Sequence, residues 1–309
     1  MPRVLLVAFA LAGCARNIPI PAVPASADVE RGKSLAHSGM ACVVCHSPRD
    51  WTKFGAPPVE GREFTGNPDF SVQAGFPDSF RFGASDLTRK TLGGWSDGEV
   101  ARAILLGQRN DGHGLFPAMP YRAWRDLVGV DDVAAVIAYL RTLPEAGLAM
   151  PDRKFPMPGF VVDRMPEAKP LKETSPAPTD ATYGAYVTAR AWCVNCHTQV
   201  DDRGKTTGTP WAGGREFKLS APGKGTVRSA NLTPDEKTGL GTWTKEQFVQ
   251  RFKAATLAQA RATPVDASGF QTTMPWWAYA ELTEQELGAI FDYLRTLPPV
   301  ANAVVKHTP

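Results

Sequence analysis

Cysteine, cysteine and histidine occur in the order C-x-x-C-H at Cys42, Cys45 and His46, and again at Cys193, Cys196 and His197. That order matches the covalent attachment of c-type haem. Two thiols separated by two residues reach the two vinyl groups on one porphyrin edge and form thioethers. The adjacent imidazole then falls under the ring and binds iron. Other uses of the cysteines explain less. A disulfide within each pair suits an exported protein but leaves both histidines without a purpose. A four-cysteine zinc site would have to join pairs about 150 residues apart, far beyond the usual spacing. A thioredoxin-type pair expects a βαβ context that this sequence lacks.

Iron held by histidine needs a sixth ligand if it is to be closed to substrates. Met119 and Met274 are the candidates, 73 and 77 residues beyond their histidines and each followed by proline. A thioether is a soft ligand, and His/Met ligation raises the reduction potential. Met40, Met150, Met157 and Met165 have no repeat partner in a matching context and read as packing or linker residues. His37 reads as a surface or packing residue, His307 as a solvated tail residue, and His113, six residues before Met119, as a competing distal ligand. Arg62 and Arg215 occupy the same place in two "GREF" segments, and an arginine fork suits a haem propionate. Asn231 is a possible donor near the second haem, with Asp86 at its place in the first copy.

These residues belong to one unit written twice. Each copy has a short helix leading into the motif, a "GREF", then "SDLT" or "ANLT", then Trp95 or Trp243. Capping boxes, Ser96 with Glu99 and Thr244 with Gln247, start a middle helix. A Met-Pro pair follows, and both copies end in "YLRTLP". Matching features are offset by 151 residues at the first cysteine, 155 at the methionine and 154 at the closing leucine. Val133, Val136, Ile137 and Leu140, and Leu287, Ile290, Phe291 and Leu294, fall at helical spacing. Pro144 and Pro298 stop those helices. Strand-like alternation is scarce, so the expected fold is all-α. It comprises two tandem haem domains, residues 28–145 and 180–300, with a Pro-rich connector at 146–179 and a tail at 301–309.

A net charge of +3, without a basic stripe interleaved with aromatics, gives no case for nucleic acid. The N-terminus has Arg3 followed by a short apolar run from Val4 to Ala12, which reads as an export signal. It ends in "LAGC", which resembles the lipobox of bacterial lipoproteins. That likeness implies a signal peptide at 1–13, lipidation of Cys14 and a Pro-rich, extended tether at 14–27. The expectation is an exported, periplasmic protein anchored to a bacterial membrane by lipid.

The stretches "ERGKSLAHSGMACVVCHS", "NLTPDEKTGLGTWT", "GLFPAMPYRAW" and "AYLRTLP" resemble the haem domains of c-type cytochromes that serve bacterial membrane-bound alcohol and gluconate dehydrogenases. The resemblance covers about 28–145 and 180–300. It implies class I cytochrome c-like domains, two haem c groups, and Met119 as an axial ligand, with Met274 taking the same place in "TTMPWW". It further implies electron transfer between a dehydrogenase donor and a respiratory acceptor, without catalysis by this chain. The sequence departs from the three haem domains and C-terminal anchor common in such subunits. The alternative is a dihaem enzyme, peroxidase-like or thiosulfate-oxidising, with one iron open to substrate.

Overall fold

The computed structural model describes residues 18–26, 28–201, 205–219, 225–266 and 269–309. Cys14 and the export signal lie outside them. In the first half, Asp28 caps the leading helix Val29–Ser34 by accepting from the Arg31 amide. A π-helical turn, Leu35–Gly39, continues it to the first motif. This element crosses the closing helix Val130–Leu140, and Gly32 permits the close approach. A Cβ there would lie 1.9 Å from the carbonyl oxygen of Ala135. The second half repeats the device where Tyr183–Arg190 crosses the closing helix Glu284–Arg295. A Cβ at Gly184 would lie 2.5 Å from the Ala289 carbonyl oxygen. The apolar faces read from the sequence are buried in both closing helices.

The middle helices, Asp97–Leu106 and Lys245–Lys253, start at the expected capping boxes. Each is fastened to its closing helix by the arginine of "YLRTLP". Arg141 donates to the carbonyl of Trp95 at 2.6 Å, and Arg295 to that of Gly241 at 2.7 Å. This repetition accounts for a motif whose polar residues otherwise resemble a solvated helix end.

The all-α expectation is corrected by the structure. Helix accounts for only 35% of the described residues, and a three-stranded antiparallel sheet is present, so the architecture is mixed. Strand β1 (Glu216–Leu219) pairs with β2 (Gly225–Arg228), and β2 pairs with β3 (His307–Thr308). Strands this short bury few side chains each, here Leu219 and Val227, so alternation is invisible in sequence. The third strand comes from the tail, a non-local pairing. His307 is therefore not a freely solvated residue: its ring meets Phe270 edge-on at 5.5 Å.

The segments outside the two repeats are also ordered against the first half. Ile18, 1% exposed, donates its amide to Gln108 at 3.1 Å and accepts from Arg102 at 3.0 Å. This end of the expected tether is thus docked. The connector packs along the first half: Leu148 donates to the Thr65 carbonyl, Lys154 bridges to Arg81, and Lys172 to Gly129. Met150 packs over Gly66 and Gly83.

The halves share a polar seam. Arg190, 2% exposed, pairs with Glu286 and donates to the Tyr186 hydroxyl at 3.0 Å. Tyr186 donates in turn to Asp132 of the first half, which Arg31 holds at 2.6 Å. The Trp124 indole donates to the Arg190 carbonyl at 3.0 Å, joining the helix after Met119 to the helix before the second motif.

Candidate haem-binding sites

Each motif occupies a single helical turn, Cys42–Cys45 and Cys193–Cys196, so its two cysteines, three apart, share one face. The residue before each turn is left-handed, Ala41 at φ 50° and Trp192 at φ 56°, which breaks the leading helix and re-aims the chain. All four cysteines are free thiols. Burial pushes Cys42 and Cys193 up to about 12, which keeps them protonated. His46 and His197 are each 9% exposed, and burial lowers both imidazoles below the usual histidine range.

The two histidines are held identically. Nδ1 of His46 lies 2.6 Å from the Ser85 carbonyl oxygen, and Nδ1 of His197 lies 2.7 Å from that of Ala230. A carbonyl accepts only if Nδ1 carries the proton, which leaves Nε2 with a free lone pair. This is the arrangement by which a second-shell group fixes the tautomer of a metal-binding imidazole. The neighbouring Asp86 and Asn231 shape the chain beside each histidine, and the Asn231 amide donates to Thr238 Oγ1 at 3.0 Å and to the Val300 carbonyl at 2.7 Å. Their Oδ1 atoms accept from the amides of Thr88 and Thr233 and set the turn that presents each carbonyl.

Backbone partners align the halves further and correct one correspondence. The amide of Phe64 donates to the Ser47 hydroxyl, and that of Trp211 to Thr198. The carbonyls of Phe64 and Trp211 accept from Leu87 and Leu232. Both residues are left-handed, at φ 62° and 71°. Trp211 is therefore the counterpart of Phe64, and the two "GREF" segments are not equivalent. Arg62 is exposed on a turn. Arg215 begins the approach to β1, donates to the Asn195 carbonyl within the second motif at 2.8 Å, and lies over Phe217. The structure thus brings Arg215, but not Arg62, to a motif.

Met119 and Met274 occupy matching turns, each carbonyl accepting at 2.9 Å from the amide two residues on, Tyr121 or Trp276. Met119 packs against the core cluster that contains Cys42. His113 is exposed, with Nδ1 3.1 Å from Asp163 of the connector, so a carboxylate already engages its ring. His37 contacts the Tyr139 hydroxyl at 2.8 Å and Phe64 edge-on, as a packing residue does.

Electrostatics also link the two motifs. Burial raises Cys45 to about 11 against the charge of Arg49, and Cys196 of the other half adds to the rise. Tyr279 lies where they converge. Burial, then Cys193, Cys196 and Cys45, pushes its phenol well up, and its hydroxyl donates to the Ala191 carbonyl at 2.8 Å. Sequence reasoning missed Arg49, whose matching place in the other copy is Val200, and Tyr279, whose matching place is the aromatic Trp124. The donor set of paired thiols and a carbonyl-fixed imidazole fits a covalently held haem. Trp51 adds a buried indole N–H without a partner close by Arg49.

No protein-family model matches the chain. The curated relatives include cytochrome subunits of several dehydrogenases. The chain is 24% identical to the fructose dehydrogenase cytochrome subunit of Gluconobacter japonicus, across 98% of its own length and 59% of the relative. It is 26% identical to the cytochrome c subunit of a quinone alcohol dehydrogenase from Gluconacetobacter polyoxogenes, covering 92% and 58%. It is 27% identical to the gluconate 2-dehydrogenase cytochrome c subunit of Pantoea cypripedii, covering 87% and 59%. The chain thus spans a little under three fifths of the length of these relatives.

Proposed function

We propose that this chain is an electron-transfer cytochrome holding two haem c groups. Cys42 and Cys45 carry one, and Cys193 and Cys196 the other. His46 with Met119, and His197 with Met274, are the axial ligands. The observation that carries this reading is the duplicated site, in which each C-x-x-C-H turn has its histidine Nδ1 on a backbone carbonyl. Bound haem supplies a one-electron iron couple. The protein fixes the imidazoles, excludes water from them by burial, and leaves no position for substrate if both methionines bind. Arg215 is assigned to a propionate of the second group, a reading supported by its contact with the Asn195 carbonyl in the second motif. The dehydrogenase names of the relatives support a dehydrogenase donor, and a respiratory acceptor in the periplasm completes the reading.

Replacing Met119 by alanine tests the axial assignment. The first haem stays attached, loses its sulfur ligand and falls in potential. An unchanged spectrum and potential would remove Met119 from the ligand set. Attachment to the membrane is assigned to lipid on Cys14, which ends the "LAGC" stretch that resembles a lipobox. Cys14→Ser then releases the protein from the membrane fraction, and a wild type that is already free of membranes contradicts it.

A further inference from the structure

Gly55 lies in the first half, on the loop that leaves the first motif, yet it is bonded to two side chains of the second. Its amide donates to Oε1 of Gln271 at 2.8 Å. Its carbonyl accepts from the Trp277 indole at 3.0 Å and from Arg49 at 2.8 Å. Gln271 is fully buried and uses its other end as well, donating Nε2 to the carbonyls of Trp51 at 2.9 Å and Lys53 at 2.8 Å. Two backbone bonds add an antiparallel bridge: Phe54 donates to Thr263 at 2.9 Å and Val265 to Thr52 at 2.7 Å. A Cβ on Gly55 would lie 3.5 Å from the Met274 carbonyl oxygen, and its φ of +68° also favours glycine.

Gln271 and Trp277 flank Met274 by three residues on either side, so both shoulders of the methionine turn are fastened to the other half. Within the turn, Thr272 accepts from the Met274 amide at 3.1 Å, and the Thr272 amide donates to Gln271 Oε1 at 2.9 Å. The turn thus hangs from one side-chain amide. In the first half the place matching Gln271 is Phe116, whose ring packs against Phe76, Phe80, Phe82 and Phe155. These are residues of its own half and of the connector. The two methionine turns are therefore supported differently, one by the other half through hydrogen bonds and one by aromatic packing close at hand.

We propose that Gln271, bound to the Trp51–Gly55 loop of the first half, is the positioning residue that holds Met274 on the second haem iron. The proposal rests on Met274 being that ligand. Its physical basis is that Gln271 satisfies two buried N–H groups, those of Gly55 and Thr272, and two partly buried carbonyls at once. Removing it leaves those groups unpaired and frees the turn they hold. Axial coordination of the second haem then depends on the loop next to the first motif. A change at one site is felt at the other, without any shared ligand.

The test uses the full-length protein with both haems attached, the haem content checked first. Gln271→Leu is compared with Met274→Ala by the sulfur-to-iron charge-transfer band of the oxidised protein and by carbon monoxide binding after reduction. The expected result is that both variants lose about half of the band and bind carbon monoxide at one haem, with Met119 ligation untouched. If Gln271→Leu does not yield folded protein, Gln271→Glu keeps the acceptor for Gly55, removes the two donations, and is expected to show the same change in smaller degree. A normal band and no carbon monoxide binding in the glutamine variant, where Met274→Ala shows both changes, overturns the positioning role and leaves the ligand assignment standing. No change in Met274→Ala itself overturns the ligand assignment, and the proposal with it.

Discussion

Changing Cys193 and Cys196 together to serine is expected to halve the covalent haem content, with the surviving group on Cys42 and Cys45. Each attachment site is complete within its own half: a one-turn helix, a histidine, and a carbonyl from the "SDLT" or "ANLT" turn. Nothing in the first set is borrowed from the second. The remaining haem should nonetheless respond, because Arg49 and Gly55, next to the first motif, contact Trp277 and Gln271 of the second half. A lower thermal midpoint and a shifted potential of that haem are the expected signs. Mass spectrometry of the intact chain reads the haem number directly. Loss of both groups would show that the halves fold only together, and loss of neither would remove these cysteines from the attachment chemistry.

Arg190→Ala is expected to destabilise the protein by about 3–5 kcal/mol, the range for breaking one side of a buried ion pair. The guanidinium is nearly inaccessible and serves Glu286 and Tyr186 together. Its loss leaves Glu286 without its cation and weakens the Tyr186–Asp132 contact that ties the halves. The effect has a pH signature. Burial raises the Glu286 carboxyl, but Arg190 and the Thr283 amide outweigh burial and hold it below the ordinary glutamate range. A carboxyl depressed on folding contributes stability above its unfolded pKa and loses it as pH falls through the folded value. The wild type should therefore lose this contribution only in acid, below the usual glutamate range, while Arg190→Ala lacks it at neutral pH. Urea unfolding of the holoprotein at neutral and acid pH measures the difference. Equal stability of variant and wild type at neutral pH contradicts the role given to the seam.

The haem motifs, methionine turns, capping boxes and closing helices were legible because each is local in sequence and written twice. The strands were not: β1 and β2 are four residues long, and β3 comes from the tail, about 80 residues on from β2. The "GREF" match misled for a physical reason. The equivalent residues are Phe64 and Trp211, which share a left-handed backbone and the same hydrogen-bond partners but not an amino-acid type. The seam was invisible for the opposite reason to the motifs. Gln271 bonds to Trp51, Lys53 and Gly55 of the other half, Arg49 lies over Trp277, and the Arg190 carbonyl accepts from Trp124, so repetition cannot reveal these contacts.

The central claim is that two haems are held and that both irons are closed by methionine. Haem quantified per chain, followed by the reduced spectrum with and without carbon monoxide, tests it most directly. The account predicts two covalent haems and no carbon monoxide binding at either. A single haem, or one that binds carbon monoxide readily, contradicts it and turns the reading toward a site that does chemistry on a small substrate.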